Sequence, residues 1–154
     1  MDDLNFNAEE LLILEGSSYL NFPLNQIMHE HYLTKASLTT VVRELNLTVK
    51  PLIQSKEDIH EIFGYCDIKN SELKRLVFKT DSDVVKDIKI GLQRSLARKC
   101  QSLSIRTDMQ TMGIYLMKHW VLKFMCEYEQ RENAIEFTNF GSEFVSFLAK
   151  NQFK

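Results

Sequence analysis

The segment from Glu10 to Val42, ELLILEGSSYLNFPLNQIMHEHYLTKASLTTVV, decides the predicted fold. It opens with residues 10–16, a short continuous apolar run closed by glycine, which is typical of a strand buried on both faces in a parallel sheet. Pro23 then suits the first turn of a helix. The side chains after it have the spacing of one helix face: Leu24, Ile27, Met28, His31 and Tyr32. Residues 36–42 are rich in β-branched side chains, which favour a second strand.

The order strand, helix, strand over these residues predicts a βαβ unit, in which both strands run in the same direction. Beyond it, residues 62–66 and 73–78 flank turn-forming residues and predict a hairpin. Residues 102–106 and 113–116 predict two separate strands. We interpret residues 46–58 as a loop, and residues 83–99 as a short strand followed by a helical stretch. The fold class is therefore α/β, with a mixed sheet and flanking helices.

Two further helices are predicted where apolar side chains recur every three or four residues. The first carries Met117, Trp120, Val121, Phe124 and Met125. The second follows Asn139, a residue type favoured at helix N-caps, and carries Phe140, Phe144, Phe147 and Leu148. We expect both stripes to pack in the core.

Length and composition fit one globular domain. The chain has 154 residues, 44% hydrophobic and 26% charged, with only 5 Gly and 2 Pro, which excludes collagen-like and disordered classes. The net charge of −2 lacks the basic surplus of nucleic-acid-binding proteins. No apolar run approaches the roughly 18 residues of a membrane span, and the acidic N-terminus, poorly ordered by expectation over residues 1–9, does not resemble a signal peptide. Cys66, Cys100 and Cys126 are expected to be reduced core residues in a cytosolic setting.

The sequence contains none of the common catalytic or phosphate-binding motifs, such as G-x-S-x-G, the P-loop, G-x-G-x-x-G or H-E-x-x-H. His29 and His31 lie about 200° apart around the predicted helix, so they do not share a metal ion. The acidic pair Glu9 and Glu10 falls at an element end, where solvated charges are expected. The basic residues between Lys86 and Arg106 alternate with acidic ones and predict a solvated face.

A helix-turn-helix is an alternative interpretation of residues 24–45, with residues 36–45 as the recognition helix. Four consecutive β-branched residues at 39–42 disfavour a helix there. Only Lys35 and Arg43 would supply positive charge for DNA. This alternative therefore requires helix where we predict strand.

Seven segments also occur in an order that is similar to a known family: Glu10–Gly16, Lys35–Val42, Phe63–Asp67, Leu73–Phe78, Ser104–Met109, Gly113–Met117 and Phe147–Phe153. Together they resemble the nucleotidyltransferase-like domain of the gamma subunits of eukaryotic translation initiation factor 2B, the guanine-nucleotide exchange factor for initiation factor 2. The resemblance covers about residues 10–153. The segment at Gly113 is shared with sugar-phosphate nucleotidyltransferases in general, whereas the ending at Phe147–Phe153 is more similar to the gamma subunit.

The resemblance implies a partial, Rossmann-like mixed sheet over residues 10–154, without the first strands and the Gly-rich nucleotide loop of the family. Active members carry a metal-binding aspartate after the strand that matches Leu11–Leu14, and a second one near residues 110–112. This chain has Ser17 and Thr111 at those two positions, and Asp108 is out of register. Because a neutral hydroxyl is a poor ligand for Mg²⁺, the resemblance implies no catalytic residue, no cofactor, no bound metal and no enzyme activity.

The function implied by the resemblance is that of a cytosolic scaffold or binding segment in translation initiation. Its expected partners are the other subunits of initiation factor 2B, especially an epsilon-like subunit, and initiation factor 2 itself, with neither a membrane nor DNA among them. Since the Leu11 strand is internal in the family, its missing neighbours would leave an apolar sheet edge, which we expect a partner chain or self-association to cover. The alternatives are an epsilon-like subunit and a divergent sugar-phosphate nucleotidyltransferase, similar to mannose-1-phosphate guanylyltransferases, which would need a carboxylate pair near Gly16 and Thr111.

Overall fold

The computed structural model describes residues 9–16, 23–45, 61–67, 74–81, 102–129 and 136–152. These residues form an open antiparallel sheet and three α-helices. The strands are β1 (Glu10–Leu14), β2 (Leu38–Glu44), β3 (Glu61–Asp67), β4 (Lys74–Asp81) and β5 (Ser104–Lys118). The helices are α1 (Leu24–Thr34), α2 (His119–Glu129) and α3 (Val145–Asn151), the last preceded by a π-helical turn at Phe140–Phe144.

The described strands follow the order β1-β5-β3-β4, and β2 also pairs with β5. Contacts divide the chain into two compact units. Unit 1 comprises Met1–Val41 and Met112–Glu136, and unit 2 comprises Val42–Thr111 and Phe137–Lys154. Strands β2 and β5 each contribute residues to both units.

In unit 1, β5 lies between β1 and β2. Strand β1 pairs antiparallel with β5, with Glu10 opposite Lys118 and Leu14 opposite Ile114. Strand β2 pairs with the other edge of β5, and the bonds from Lys118 N to the Ser37 carbonyl and from Leu45 N to the Asp108 carbonyl show that it is antiparallel too. Hence β1 and β2 run in the same direction, as the predicted βαβ order requires, but they are separated by one antiparallel strand. The predicted mixed sheet is therefore wrong for the described strands, whose pairing is antiparallel.

The prediction that β1 is a parallel strand buried on both faces is wrong. All of its described pairing is antiparallel, and it ends the strand order. Leu12 and Leu14 remain 39% and 54% exposed. A uniform apolar run carries no signal that distinguishes an edge strand from an internal one, because that depends on which other strands reach it.

Helix α1 confirms the predicted helix, but of its predicted inner face Tyr32 is 56% exposed. It begins directly after Pro23, and it ends where Lys35 takes a left-handed conformation with φ of 52°. Ile27 packs against Ile114 and Leu116 of β5. His31 is buried whereas His29 is exposed, as their angular separation predicts.

In unit 2, β3 and β4 confirm the predicted hairpin. They pair antiparallel, with an irregularity after Gly64. Gly64 fits closely against Phe78, since a Cβ at this position would lie 2.0 Å from the Phe78 ring. Ile62, Cys66, Val77 and Phe78 form the core of the hairpin.

The C-terminal helix also belongs to unit 2 and packs against β4. Asn139 confirms its predicted capping role, because its side-chain oxygen accepts a 2.9 Å hydrogen bond from Ser142 N. The Phe144 side chain is fully buried, and Gln152 Nε2 donates to the Leu76 carbonyl at 2.8 Å. The last described residues are thus held to β4 by both apolar and polar contacts.

Several other predictions need correction. The two strands predicted at 102–106 and 113–116 form the single strand β5, because Gly113 adopts a φ of 64° without ending the pairing. Met117 lies in β5 rather than in α2, Trp120 is 52% exposed, and Cys126 is exposed rather than in the core. The predicted loop at 46–58, the elements at 83–99, Cys100 and residues 1–8 lie outside the described residues.

The strand predicted at residues 36–42 is confirmed by β2, which spans Leu38–Glu44. It occupies residues where the helix-turn-helix alternative requires its recognition helix. Among the described residues, no helix is long and apolar enough to cross a membrane.

Candidate functional site

Thr111, one of the two positions at which the resemblance implies a lost metal ligand, contacts a carboxylate of the neighbouring strand. Its backbone N–H donates to Glu61 Oε2 over 2.5 Å. Its hydroxyl lies 2.9 and 2.8 Å from the two Glu61 oxygens and shares its proton with them. Thr111 therefore acts as a double donor to Glu61.

Glu61 in turn holds a buried lysine. Lys79 is only 3% exposed, and its Nζ lies 2.6 Å from Glu61 Oε1. The same Nζ donates to the Gly141 carbonyl at 3.0 Å. A buried ammonium group is tolerated when it is paired and hydrogen-bonded in this way. The four residues connect β5, β3, β4 and the π-helical turn within unit 2.

Asp108, the carboxylate closest in sequence to Thr111, is engaged by Arg106. Arg106 Nε and Nη2 donate to the two Asp108 oxygens at 2.6 and 2.5 Å, and Nη1 donates to Glu44 at 2.5 Å. The bond from Arg106 lowers the pKa of Asp108 below its ordinary value. Arg106, one residue of the predicted basic face, is thus paired with two carboxylates. The other residues of that face, from Lys86 to Lys99, lie outside the described residues.

Ser17, the other position at which the resemblance implies a lost metal ligand, lies outside the described residues. Within the part of the chain that the structure describes, no three His, Cys, Asp or Glu side chains are arranged to hold a metal ion.

The exposed apolar side chains of β1 form a second candidate site, in unit 1. No described strand pairs with the outer edge of β1. Leu12 and Leu14 lie opposite Leu116 and Ile114, so they share the face of β5 that packs against α1. Both leucines are exposed, and this outer edge with Leu12 and Leu14 is called the β1 edge below.

Sequence reasoning missed a polar cluster at the opposite end of β1. Glu10 was expected to be solvated, but its side chain is only 13% exposed and its Oε1 lies 3.5 Å from His31 Nε2. His31 is fully buried and its Nδ1 shares a 2.8 Å hydrogen bond with Thr39 Oγ1. The one available signal was a histidine within the apolar stripe of α1, because nothing local in the sequence places Glu10 beside it.

The sequence matches no protein-family model and no curated protein.

Proposed function

We propose that the chain is a non-catalytic scaffold segment, similar to the gamma subunit of translation initiation factor 2B, that binds other chains of the exchange complex. The ordered segments between residues 10 and 153 support this assignment. The strand–helix–strand order of unit 1, with β1 and β2 running in the same direction, also supports the proposal, although both strands pair antiparallel with β5 and do not form the mixed sheet that the resemblance implies.

The contact between Thr111 and Glu61 carries the non-catalytic part of the proposal. A metal site for nucleotidyl transfer needs carboxylate oxygens that are free to coordinate Mg²⁺. Thr111 supplies a neutral hydroxyl, and the nearby Glu61 carboxylate already accepts from Thr111 and pairs with the Lys79 ammonium. These groups are thus arranged to hold three strands together rather than to bind a metal ion.

The β1 edge carries the binding part of the proposal. An edge strand presents unpaired backbone N–H and C=O groups, to which a strand of another chain can add. Leu12 and Leu14 would give such an addition an apolar contact, since both are exposed beside the edge. The expected occupants are the other subunits of initiation factor 2B, with an epsilon-like subunit first among them, and initiation factor 2 binds to the resulting assembly.

Turnover measurements test the catalytic half. The purified chain is incubated with Mg²⁺, a nucleoside triphosphate (GTP, ATP or UTP) and a hexose-1-phosphate, and pyrophosphate release is followed. We expect no release above the protein-free rate. Metal-dependent release would favour the alternative, a divergent sugar-phosphate nucleotidyltransferase, and would refute the scaffold proposal.

Affinity capture tests the binding half. The tagged chain is used to capture partners from cytosol, and initiation factor 2B subunits and initiation factor 2 are quantified by mass spectrometry. The variant Leu14→Lys places a charge on the β1 edge and is expected to reduce capture about tenfold or more, as for a central interface residue. Leu33→Lys is the matched control, because Leu33 is similarly exposed (58%) but lies on α1.

Two results would contradict the binding half. One is capture of neither initiation factor 2B subunits nor initiation factor 2 by the wild-type chain. The other is an equal loss of capture in both variants, which would place the contact elsewhere than on the β1 edge.

A further inference from the structure

A cavity of about 330 Å³ lies in unit 1, at the end of β1 opposite to Gly16. Its size is at the lower end of the range for small-molecule sites, which is about 300–1,000 Å³. The lining is formed by β1 and the residue before it, by α1 with its C-cap, and by the last residue of β5: Glu9, Glu10, His31, Tyr32, Lys35 and Lys118. Neither Thr111 nor the exposed leucines of the β1 edge contribute to it.

His31 presents a fixed hydrogen-bonding group to this cavity. Its side chain is fully buried, and the Thr39 hydroxyl lies 2.8 Å from Nδ1. The tautomer with its ring proton on Nε2 fits these neighbours, because the Thr39 hydroxyl then donates to Nδ1 and the Nε2–H faces the Glu10 carboxylate. The other tautomer would set the Nε2 lone pair against a carboxylate oxygen. The separation of 3.5 Å from Glu10 Oε1 is too long for a good hydrogen bond. Nε2 has no hydrogen-bond partner among the described residues.

Glu10 contributes a second unsatisfied atom. Its Oε2 is buried and has no hydrogen-bond partner in the described part of the chain. The Tyr32 hydroxyl interacts with the same carboxylate, which raises the pKa of Tyr32 above its ordinary value. A buried carboxylate oxygen without a donor is costly, so the position favours a ligand that brings an ammonium or another strong donor.

The remaining charges of the cavity are balanced, and Glu10 lies directly opposite Lys118 in the register of β1 and β5. Lys35 and Lys118 contribute two positive groups, and Glu9 and Glu10 contribute two negative ones. His31 adds no charge near neutral pH, because burial lowers its pKa. A ligand with one charge of each sign is therefore matched better than a simple anion or a simple cation.

From this arrangement we infer that the cavity binds a free amino acid, with its ammonium at Glu10 and its carboxylate at the two lysines. Glu10 accepts from the ammonium, while the His31 Nε2–H faces the Glu10 carboxylate from the inner side. The inference does not rest on the proposed scaffold function, since it uses other residues.

The test is a nuclear magnetic resonance titration of the ¹⁵N-labelled full chain. Each standard amino acid is added singly at millimolar concentration, and then two analogues of the best binder, the amine without its carboxylate and the carboxylate without its amine. We expect saturable shifts at residues 9–10, 31–35 and 118, and at least about tenfold weaker binding of either analogue, which lacks one charged contact. No saturable shift with any amino acid would overturn the inference, as would an analogue that binds as tightly as the amino acid.

Variants locate the binding. Glu10→Gln keeps the shape of the side chain but removes its charge, and Lys118→Gln removes one cation. Each variant is expected to bind the amino acid about tenfold more weakly or worse. Lys123→Gln is the control, because Lys123 lies on α2, outside the cavity lining, and contacts Glu127. In each variant, resonances of β5 residues remote from position 118 that match those of the wild-type chain verify the fold. Unchanged affinity in both cavity variants would refute the site.

Discussion

Removing either partner of the ion pair between Lys79 and Glu61 is expected to destabilise unit 2 strongly. At 2.6 Å, the pair has a gross attraction of about 6 kcal/mol with an effective dielectric constant near 20. Desolvation offsets much of this attraction, but breaking a buried pair from one side typically costs about 3–5 kcal/mol. Lys79→Met falls at the low end, because Thr111 still donates twice to Glu61. Glu61→Gln falls at the high end, because the Lys79 ammonium then stays buried, at 3% exposure, with the Gly141 carbonyl but without a carboxylate.

The assay is urea unfolding followed by far-ultraviolet circular dichroism on the two single variants and the double variant. Because the double variant contains no unpaired buried charge, we expect it to lose less free energy of unfolding than the sum of the single losses, by about 2 kcal/mol or more. Asp67→Asn is the matched control in the same hairpin. It breaks the pair of Asp67 with Lys74, whose side chains are 68% and 47% exposed and whose atoms are 3.7 Å apart, and it is expected to cost at most about 0.5 kcal/mol.

Two results would refute this reasoning. The first is a loss below about 1 kcal/mol for Lys79→Met, which is the range of a solvated pair. The second is strict additivity of the two single changes in the double variant, which would mean that the two charges do not interact in the folded chain.

Three other predictions concern backbone packing, titration and capping. Gly64→Ala brings a Cβ into the buried ring of Phe78 and should lower the free energy of unfolding by about 1–3 kcal/mol. The control Gly16→Ala, where a Cβ would have no neighbour within 4 Å, should change it by less than about 0.5 kcal/mol. Equal effects of the two substitutions would contradict the close packing of Gly64 against Phe78. Burial lowers the pKa of His31 in the folded chain, so on acidification the unfolded chain takes up the proton at a higher pH than the folded chain does. The free energy of unfolding should therefore fall as the pH drops below about 6.5, with a slope of up to about 1.4 kcal/mol per pH unit. The ring titration by nuclear magnetic resonance checks this, and a His31 midpoint above the ordinary histidine value would reverse the sign. Asn139→Ala should lower the free energy of unfolding in urea by about 1 kcal/mol and speed amide exchange in the helical turn that follows residue 139. Unchanged exchange in that turn would show that the Asn139 side chain does not cap the helix.

Most element positions could be predicted from local sequence patterns. The spacing of Ile27 and His31, the β-branched run of β2 and the Asn139 cap each depend on neighbours within one or two turns, and the structure confirms all three. Secondary structure of this kind follows from local periodicity and capping, which one sequence contains in full. The boundary between β5 and α2 was less accessible, since Met117 continues the apolar spacing of the helix although it lies in the strand.

The pairing of the strands could not be predicted in the same way. The run from Leu11 to Leu14 is equally apolar at each position, so it predicts a strand but not which leucines are covered. Exposure of Leu12 and Leu14 follows from the place of β1 at the end of the strand order. Likewise residues 102–106 and 113–116 each have a strand pattern of their own, whereas in the structure both belong to the single strand β5.

The chain by itself therefore determined where its helices and most of its strands form. Only the tertiary structure decided what its polar groups contact. Glu61 reaches Thr111 across 50 positions of sequence, and Glu10 reaches His31 through the packing of α1 beside β1. The physical reason is that a charge in the interior is stabilised by whichever partner the register of distant strands brings within a few ångströms, and that register depends on the packing of the whole sheet.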